Sequence, residues 1–280
     1  MKQNNGVTIT KASGEQVLFD ANKLRASLER SRAEPEAIDE IVKAVTALLF
    51  EGMSTKKIYS KAFSLLRKRS RSTAARYKLK NAILELGPAG FAFEKYVAAL
   101  LRAEGYQTET DVMVQGHCVK HEVDVIAERG SERNMIECKF HGDKNIFSDV
   151  KVALYIHSRF KDIETVWKNQ PEHERKNLKG WVVTNTRFTI DAQTYGECMG
   201  MNMVSWNKPS EGSLKQRIDR AGLHPLTSLT TLTKSEKKAL LDGGIVLCSD
   251  LNEHQYQLDK LGISKQRKKH ILSESKELCA

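Results

Sequence analysis

Residues 119–127 read VKHEVDVIA and residues 135–140 read MIECKF, and these two stretches decide the fold of the chain. Side chains alternate between the two faces of a strand, so Glu137 and Lys139 share one face while Asp124 lies opposite its apolar neighbours. The segment between the stretches is polar and contains Gly130, which is typical of a hairpin loop. We therefore predict two paired strands that bring these three charged side chains to one place.

Two neighbouring carboxylates and an ammonium group favour metal-dependent chemistry. Asp124 and Glu137 repel each other when both are charged, and a divalent cation between them removes that repulsion. Hard cations such as Mg²⁺ or Mn²⁺ prefer oxygen ligands and keep water molecules, one of which can attack a phosphate. Lys139 would orient that water or offset the charge that develops. The alternative is a solvated strand face with cross-strand ion pairs.

The pattern resembles the PD-(D/E)XK nuclease superfamily, with Asp124 as its first acid and residues 137–139 as its second element. Residues 91–106 look like the helix that opens the Mrr-type restriction endonuclease domain of that superfamily. Residues 181–192 look like a later strand and helix of the same domain. The resemblance covers residues 88–208 and implies hydrolysis of phosphodiester bonds in DNA.

The same resemblance implies a set of site residues. In the family the opening helix gives an acid to the metal site, and this acid falls on Glu94. The resemblance then implies that Glu94, Asp124 and Glu137 bind Mg²⁺ or Mn²⁺, and that Lys139 positions the nucleophile. Apolar patterns over residues 88–208 alternate between helical and strand periods, which predicts a mixed sheet flanked by helices, an α/β architecture.

The overall composition favours a cytoplasmic protein with a polyanionic partner. The chain has 280 residues, a formal net charge of +10 and a pI near 9.3. It contains no run of about 20 apolar residues that could span a membrane, and residues 1–6 lack the apolar core of a signal peptide. Its five cysteines show no Cys-X-X-Cys spacing, which argues against a zinc site and a disulfide framework.

Residues 1–87 are predicted to form a β-hairpin followed by four helices, the fourth running from about Thr73 to Leu86. This order resembles the ATP-cone, a regulatory nucleotide-binding domain. The resemblance implies that an adenine nucleotide, ATP or dATP, binds here. The family positions fall on Lys11, Lys23, Thr55 and Tyr59. The alternative for Lys11 and Lys23 is that both are ordinary solvated lysines.

From Lys56 to Lys80 the chain carries ten Lys or Arg residues and no Asp or Glu. One interpretation is contact with the DNA backbone, for which we single out Arg67, Lys68 and Arg69. Further phosphate binding by the nucleotide domain is a second interpretation. The third is a solvated basic face.

Residues 209–280 are predicted to form a small all-α tail that is similar to helix-hairpin-helix modules. Such modules present turns and helix N-termini to a DNA phosphate without reading bases. Gly262 lies in the expected turn, and the helix that follows begins with Lys265 and Arg267. A protein-docking or dimerising module is the alternative.

Together these patterns predict three parts, residues 1–87, 88–208 and 209–280. The function they favour is a metal-dependent endonuclease that acts on double-stranded DNA and is regulated by adenine nucleotide through homo-oligomerisation or domain docking. The alternatives are a non-catalytic, nucleotide-sensing DNA-binding regulator and an RNA nuclease.

Overall fold

The computed structural model describes residues 6–11, 13–88, 90–171 and 176–279. The N-terminal part contains a three-stranded sheet and three helices, followed by two shorter helices. Its elements are β1 (Thr8–Thr10), β2 (Gln16–Leu18), α1 (Ala21–Glu29), α2 (Pro35–Thr46), β3 (Met53–Ser54), α3 (Thr55–Arg69), α4 (Arg71–Tyr77) and α5 (Leu79–Leu84).

The predicted hairpin is formed by β1 and β2, and β3 adds a short parallel pairing with β1 that the sequence did not suggest. Side chains cap the helices where the sequence indicates, because an oxygen of Asp20 accepts from the N–H of Asn22 and the hydroxyl of Ser54 accepts from the N–H of Lys57. The prediction of one helix over residues 73–86 was wrong. That segment forms α4 and α5, with Lys78 between them.

The central part is a five-stranded mixed sheet with helices on both faces, so the chain has a mixed α/β fold. Its elements are α6 (Phe91–Ala103), β4 (Gln107–Gln115), β5 (Lys120–Arg129), β6 (Glu132–Lys139), β7 (Phe147–Ser148), α7 (Val150–Trp167), β8 (Asn177–Thr184), β9 (Arg187–Phe188), α8 (Ile190–Cys198) and β10 (Asn202–Val204). The strand order is β10-β8-β6-β5-β4, with antiparallel pairing among β4, β5 and β6 and parallel pairing of β6, β8 and β10.

Alternation along the strands sends apolar side chains into two separate cores. Ile136 and Cys138 of β6 pack with α6, whereas Met135 packs with α7. Trp181 and Val182 on β8 point to opposite cores, as predicted for a strand buried on both faces. Helix α6 therefore covers one face of the sheet and α7 the other.

The C-terminal part is all-helical. Its elements are α9 (Leu214–Ala221), a 3₁₀ turn (Leu226–Ser228), α10 (Lys234–Asp242), α11 (Cys248–Glu253), α12 (Tyr256–Lys260) and α13 (Lys265–Cys279). Thr233 and Glu236 form a capping box at the start of α10, as the sequence indicates for Thr233. Gly262 takes a φ of +68° in the turn before α13, where a side chain would be strained.

The three parts pack against one another. Leu79 and Ile83 of α5 lie in the core beneath α6, and so does Ile218 of α9. Ala74 of α4 belongs to the N-terminal core, while Ala75 belongs to the core of the tail. The boundaries at residues 87 and 208 stay predictions. Among the described residues, no helix is both long and apolar enough to cross a membrane.

Candidate active site

The site lies where β5 and β6 separate. The antiparallel register ends at the pair Val125 and Ile136, so the next residues, Asp124 and Glu137, stand opposite each other. The backbone N–H of Cys138 donates to Oδ2 of Asp124 at 2.7 Å, which fixes the carboxylate against the neighbouring strand. The two acids that the sequence singled out are therefore neighbours across the hairpin.

Glu137 is buried, with 5% of its surface exposed, and two cations hold its carboxylate. Nζ of Lys139 donates to Oε1 at 2.6 Å, and Nη1 of Arg159 donates to Oε2 at 2.7 Å. Arg159 lies on α7 and also donates to the carbonyl of Glu122 on β5. Two positive groups around one buried carboxylate pair with both of its oxygens and fix its position.

The pKa of Asp124 lies above that of an ordinary aspartate. Burial raises its pKa to about 6, and the negative charge of Glu137 adds to the effect. The N–H of Cys138 and the charges of Lys139 and Arg159 work in the opposite direction without cancelling it. The site therefore contains an acid whose charged form is disfavoured in the absence of a further cation.

Glu94 lies in the first turn of α6 and belongs to the same electrostatic group. Its pKa is raised to about 7, mainly by burial. The negative charges of Asp124, Asp111 and Glu137 raise it further. Its carboxylate lies close to Gly90, where an added Cβ would stand 2.8 Å from Oε1. Any larger residue at that position would displace the acid.

Asp111 is a fourth acid that the sequence did not suggest. The ladder between β4 and β5 pairs Thr110 with Val125 and Val112 with Val123, so Asp111 lies opposite Asp124. A hydrogen bond between the carboxyl groups of Asp111 and Glu94, which requires one of them to be protonated, contributes to the raised pKa of Glu94. The φ of Asp111 is +56°, a left-handed conformation that is strained for a residue with a side chain, at about 1–3 kcal/mol. Strain of this kind inside a strand points to a functional position.

We expect Asp111→Asn to stabilise the metal-free protein above pH 7. The change removes a negative charge beside Glu94, and Asn tolerates a positive φ well. The free energy of unfolding should rise by about 1 kcal/mol, as measured by urea denaturation at pH 8 in EDTA. Glu109→Gln, an exposed charge on the same strand, is the control and should leave stability unchanged. A loss of stability in Asp111→Asn would mean that Asp111 has a structural role.

The carboxylates of Glu94, Asp111, Asp124 and Glu137 are not arranged as a complete metal-binding site. Across residues 6–11, 13–88, 90–171 and 176–279, no three His, Cys, Asp or Glu side chains are close enough together to hold an ion. Neighbouring negative charges nevertheless contribute to the raised pKa of Glu94 and of Asp124, and Glu137 is turned towards Lys139 and Arg159. The donor set, carboxylate oxygen alone, fits a hard divalent cation.

The four residues predicted to meet a nucleotide line one cavity of about 230 Å³ in the N-terminal part. Lys11, Lys23, Thr55 and Tyr59 all contribute to its wall. Tyr59 stacks on Tyr77 with ring centroids 4.9 Å apart. Lys11 pairs with Glu15 at 3.0 Å, and Lys23 lies 3.9 Å from Asp20, both at exposed positions.

The predicted DNA-contacting residues are all exposed, but three of them have protein partners. Arg69 pairs with Glu40, and Arg67 donates to the carbonyl of Thr230 at 3.4 Å. Arg267 binds Glu236 through two nitrogens, at 2.7 and 3.0 Å, and so ties α13 to α10. No hydrogen bond or ion pair to another described residue engages the side chains of the two remaining cations, Lys68 and Lys265.

Comparisons with known proteins assign the central part of the chain to a class of restriction-endonuclease-like domains. Residues 88–208 match the family model Mrr_cat, described as restriction endonuclease. Residues 224–279 match the model for the C-terminal part of AF1548-like proteins. An uncharacterized protein from Archaeoglobus fulgidus is 34% identical over 183 residues, which cover 65% of this chain and 99% of that protein.

Two solved structures are similar to this chain. The crystal structure of a protein of unknown function, AF1548, has 32% sequence identity and a TM-score of 0.55, covering 68% of this chain and 98% of that one. The chain therefore belongs to the AF1548-like family. The MspJI restriction endonuclease, solved with a 27-mer oligonucleotide, has 14% identity and covers 75% of this chain and 44% of its own. Its TM-score of 0.32 is too low to establish a shared fold.

Proposed function

We propose that this protein is a metal-dependent endonuclease that hydrolyses phosphodiester bonds in double-stranded DNA. The observation that carries the proposal is the grouping of Asp124, Glu137 and Lys139 where β5 and β6 separate, with Glu94 contributed by α6. The match of residues 88–208 to a restriction endonuclease domain supports it.

In this proposal Asp124, Glu94 and Glu137 supply the oxygen ligands of Mg²⁺ or Mn²⁺. A bound cation of this type lowers the pKa of its water and offsets charge on the phosphate. The raised pKa values of Asp124 and Glu94 support cation binding, because both acids gain a favourable partner when they ionise.

Lys139 is the residue that we propose to position the nucleophile. Its ammonium group is fixed by Glu137 at 2.6 Å, and a third of its side chain is exposed to solvent. The group is therefore both held in place and accessible to a phosphate. Arg159 keeps Glu137 oriented from the other side, as a positioning residue.

Nicking of supercoiled plasmid in Mg²⁺, with an EDTA control, tests the proposal. Cleavage by the wild type that EDTA abolishes would support it. Plasmid binding without any nicking would favour the non-catalytic DNA-binding regulator instead. Cleavage of an RNA of the same length, with the DNA left intact, would favour the RNA nuclease.

We further propose that the N-terminal part binds ATP or dATP as an ATP-cone does and regulates the nuclease, through homo-oligomerisation or docking of the parts. The support is geometric: Lys11, Lys23, Thr55 and Tyr59 surround one cavity, two of them with ammonium groups suited to phosphate and one with an aromatic ring suited to a base. The division at residues 87 and 208 belongs to the same proposal, as does a cytoplasmic location.

We expect the double variant Lys11→Gln with Lys23→Gln to bind ATP and dATP at least about tenfold more weakly than the wild type, because each lysine supplies a charge-assisted contact to phosphate. Isothermal titration calorimetry measures the change. Lys43→Gln, an exposed lysine on α2, is the matched control. Wild-type protein that gives no heat with either nucleotide would contradict the regulatory proposal.

For DNA, we propose that Lys68 and Lys265 contact the backbone, with Arg67, Arg69 and Arg267 contributing after their protein contacts rearrange. The double variant Lys68→Ala with Lys265→Ala should reduce the slope of log affinity against log salt by about 1 to 2, since each phosphate contact releases counterions. Fluorescence anisotropy with a short duplex measures that slope. An unchanged slope would place the DNA contacts elsewhere.

A further inference from the structure

Five basic side chains meet at the junction of the three parts of the chain. Arg30 and Arg32 lie between α1 and α2, Arg76 lies on α4, Lys80 on α5 and Lys215 on α9. They line two cavities of about 250 and 200 Å³, and both cavities include Arg30, Arg76 and the carboxylate-bearing Asp219. We call this region the junction cleft.

The positive charge of the junction cleft is largely uncompensated. Among the residues that the structure describes, Asp219 is the one acid that lines the two cavities. Within the described ranges, none of the five cations forms an ion pair with a carboxylate, since none occurs in a pair of 4 Å or less. Arg76 donates through Nη2 to the carbonyls of Glu277 and Leu278, and its buried Nε has no partner.

This arrangement is electrostatically unfavourable when the cleft is empty of anions. Burial lowers the pKa of Lys80, Lys215 and Arg76, and neighbouring cations lower each of them further. Repulsion among like charges is strongest for the partly buried Arg76, Lys80 and Lys215, whereas Arg30 and Arg32 are exposed. The buried Nε of Arg76 also lacks a hydrogen-bond partner. An anion would relieve both effects at once.

His224 is an independent second observation. It follows α9, lines the smaller cavity and is 8% exposed, and its Nδ1 is buried without a hydrogen-bond partner. Its pKa is lowered to about 4, mainly by burial and also by the positive charges of Arg76 and Arg32. The imidazole is therefore neutral at neutral pH. A neutral imidazole can donate one hydrogen bond to an anion without adding to the repulsion among the cations.

We propose that the junction cleft is a binding site for a phosphate-bearing ligand that bridges the N-terminal part and the C-terminal part of the chain. Several positive side chains on different elements around one carboxylate suit a group of two or more negative charges, and guanidinium groups match phosphate geometry. The aromatic rings of Tyr77 and Trp206 line the larger cavity and offer surfaces for a base or sugar. The phosphate belongs either to a free nucleotide or to a DNA backbone.

A ligand in the junction cleft would act on the nuclease domain through α9. Lys215 and Asp219 lie on this helix, and Leu214 and Ile218 of the same helix pack in the core that contains α6. The hydroxyl of Tyr96 on α6 donates to the carbonyl of Leu223 just beyond α9 at 2.7 Å. Because α6 also carries Glu94, these contacts connect the cleft to the proposed catalytic acids.

Calorimetric titration of the full-length protein with inorganic tripolyphosphate tests the site directly. The double variant Arg30→Gln with Arg32→Asn removes two charges, and Asn suits the φ of +58° at position 32. We expect its affinity to fall at least about tenfold, as for loss of charge-assisted contacts. Lys43→Gln controls for general charge, and Lys11→Gln with Lys23→Gln controls for binding in the N-terminal cavity.

The outcomes separate the two sources of phosphate. Displacement of tripolyphosphate by ATP supports a nucleotide, and displacement by a short DNA duplex but not by ATP supports a backbone phosphate. Either result supports the site if the Arg30 and Arg32 double variant binds tripolyphosphate at least about tenfold more weakly than the wild type. Absence of tripolyphosphate binding by the wild type, or equal binding by wild type and the Arg30 and Arg32 double variant, would overturn the proposal. All of these measurements report binding, so they test the cleft independently of nuclease activity.

Discussion

Asp124→Asn should lower the rate of DNA cleavage on the order of 10³-fold, the size of effect seen when one electrostatic element of a catalytic site is removed. The asparagine keeps an oxygen that can accept from the N–H of Cys138, so the contact between β5 and β6 is retained. It loses the negative charge that would attract the cation. The expected defect is therefore chemical, with the fold preserved.

The same variant should be more stable than the wild type in EDTA above pH 6. The folded-state pKa values of Asp124 and Glu94, about 6 and about 7, lie above their ordinary values of 3.8 and 4.5. The unfolded chain therefore releases these protons first, and stability falls as pH rises from about 4 to 7. Replacing Asp124 removes the destabilisation that comes from its own raised pKa and part of the destabilisation that comes from Glu94. The free energy of unfolding should rise on the order of 1 kcal/mol after allowance for solvent screening.

Urea denaturation at pH 5 and pH 8 measures this difference. The gain should be full at pH 8 and clearly smaller at pH 5, because at pH 5 only part of the interval between the unfolded pKa of 3.8 and the folded pKa of about 6 has been crossed. Mg²⁺ should raise the melting temperature of the wild type and leave that of the variant unchanged. A variant that is less stable than the wild type at pH 8 and still responds to Mg²⁺ would show that Asp124 has a structural role.

Lys139→Ala should reduce cleavage by about 10²- to 10³-fold while DNA binding is retained. Only the ammonium group that we place beside the reacting phosphate is lost, because Glu137 keeps its second partner, Arg159. Lys120→Ala on β5 is the matched control, since that lysine is exposed and lies on the strand next to β6. Nicking rates under single-turnover conditions and anisotropy with the same duplex separate catalysis from binding.

Equal nicking by wild type and Lys139→Ala would contradict the catalytic role of the lysine. A parallel loss of nicking and of DNA affinity would instead mark Lys139 as a DNA contact. Lys139→Arg refines the result, because a guanidinium group restores the charge but not the compact shape of the ammonium group. We expect only partial recovery from it.

Much of the fold could be predicted from local patterns. Apolar alternation and a polar loop define the hairpin of β5 and β6, and the continuous apolar run at Trp181–Thr184 predicts a strand buried on both faces. Helix boundaries follow side-chain caps, such as Asp20 before α1 and Thr233 before α10. These signals depend on residues close together in sequence, which is why they can be read without coordinates.

The parts of the site that sequence did not suggest depend on long-range packing. Asp111 enters the site only through the register of β4 against β5, and Arg159 only through the way α7 crosses the sheet. The break between α4 and α5 has a similar origin, since Ala74 and Ala75 pack into different cores. No local pattern fixes these relationships.

Diffraction from a crystal soaked in Mn²⁺, with anomalous differences measured at the manganese edge, would show whether Asp124, Glu94 and Glu137 bind a divalent cation. We predict a peak bonded to the carboxylate of Asp124 at about 2.1 Å, with oxygens of Glu94 or Glu137 completing the ligand set. A map with no peak at these acids, and with Glu137 still held between Lys139 and Arg159, would contradict this prediction.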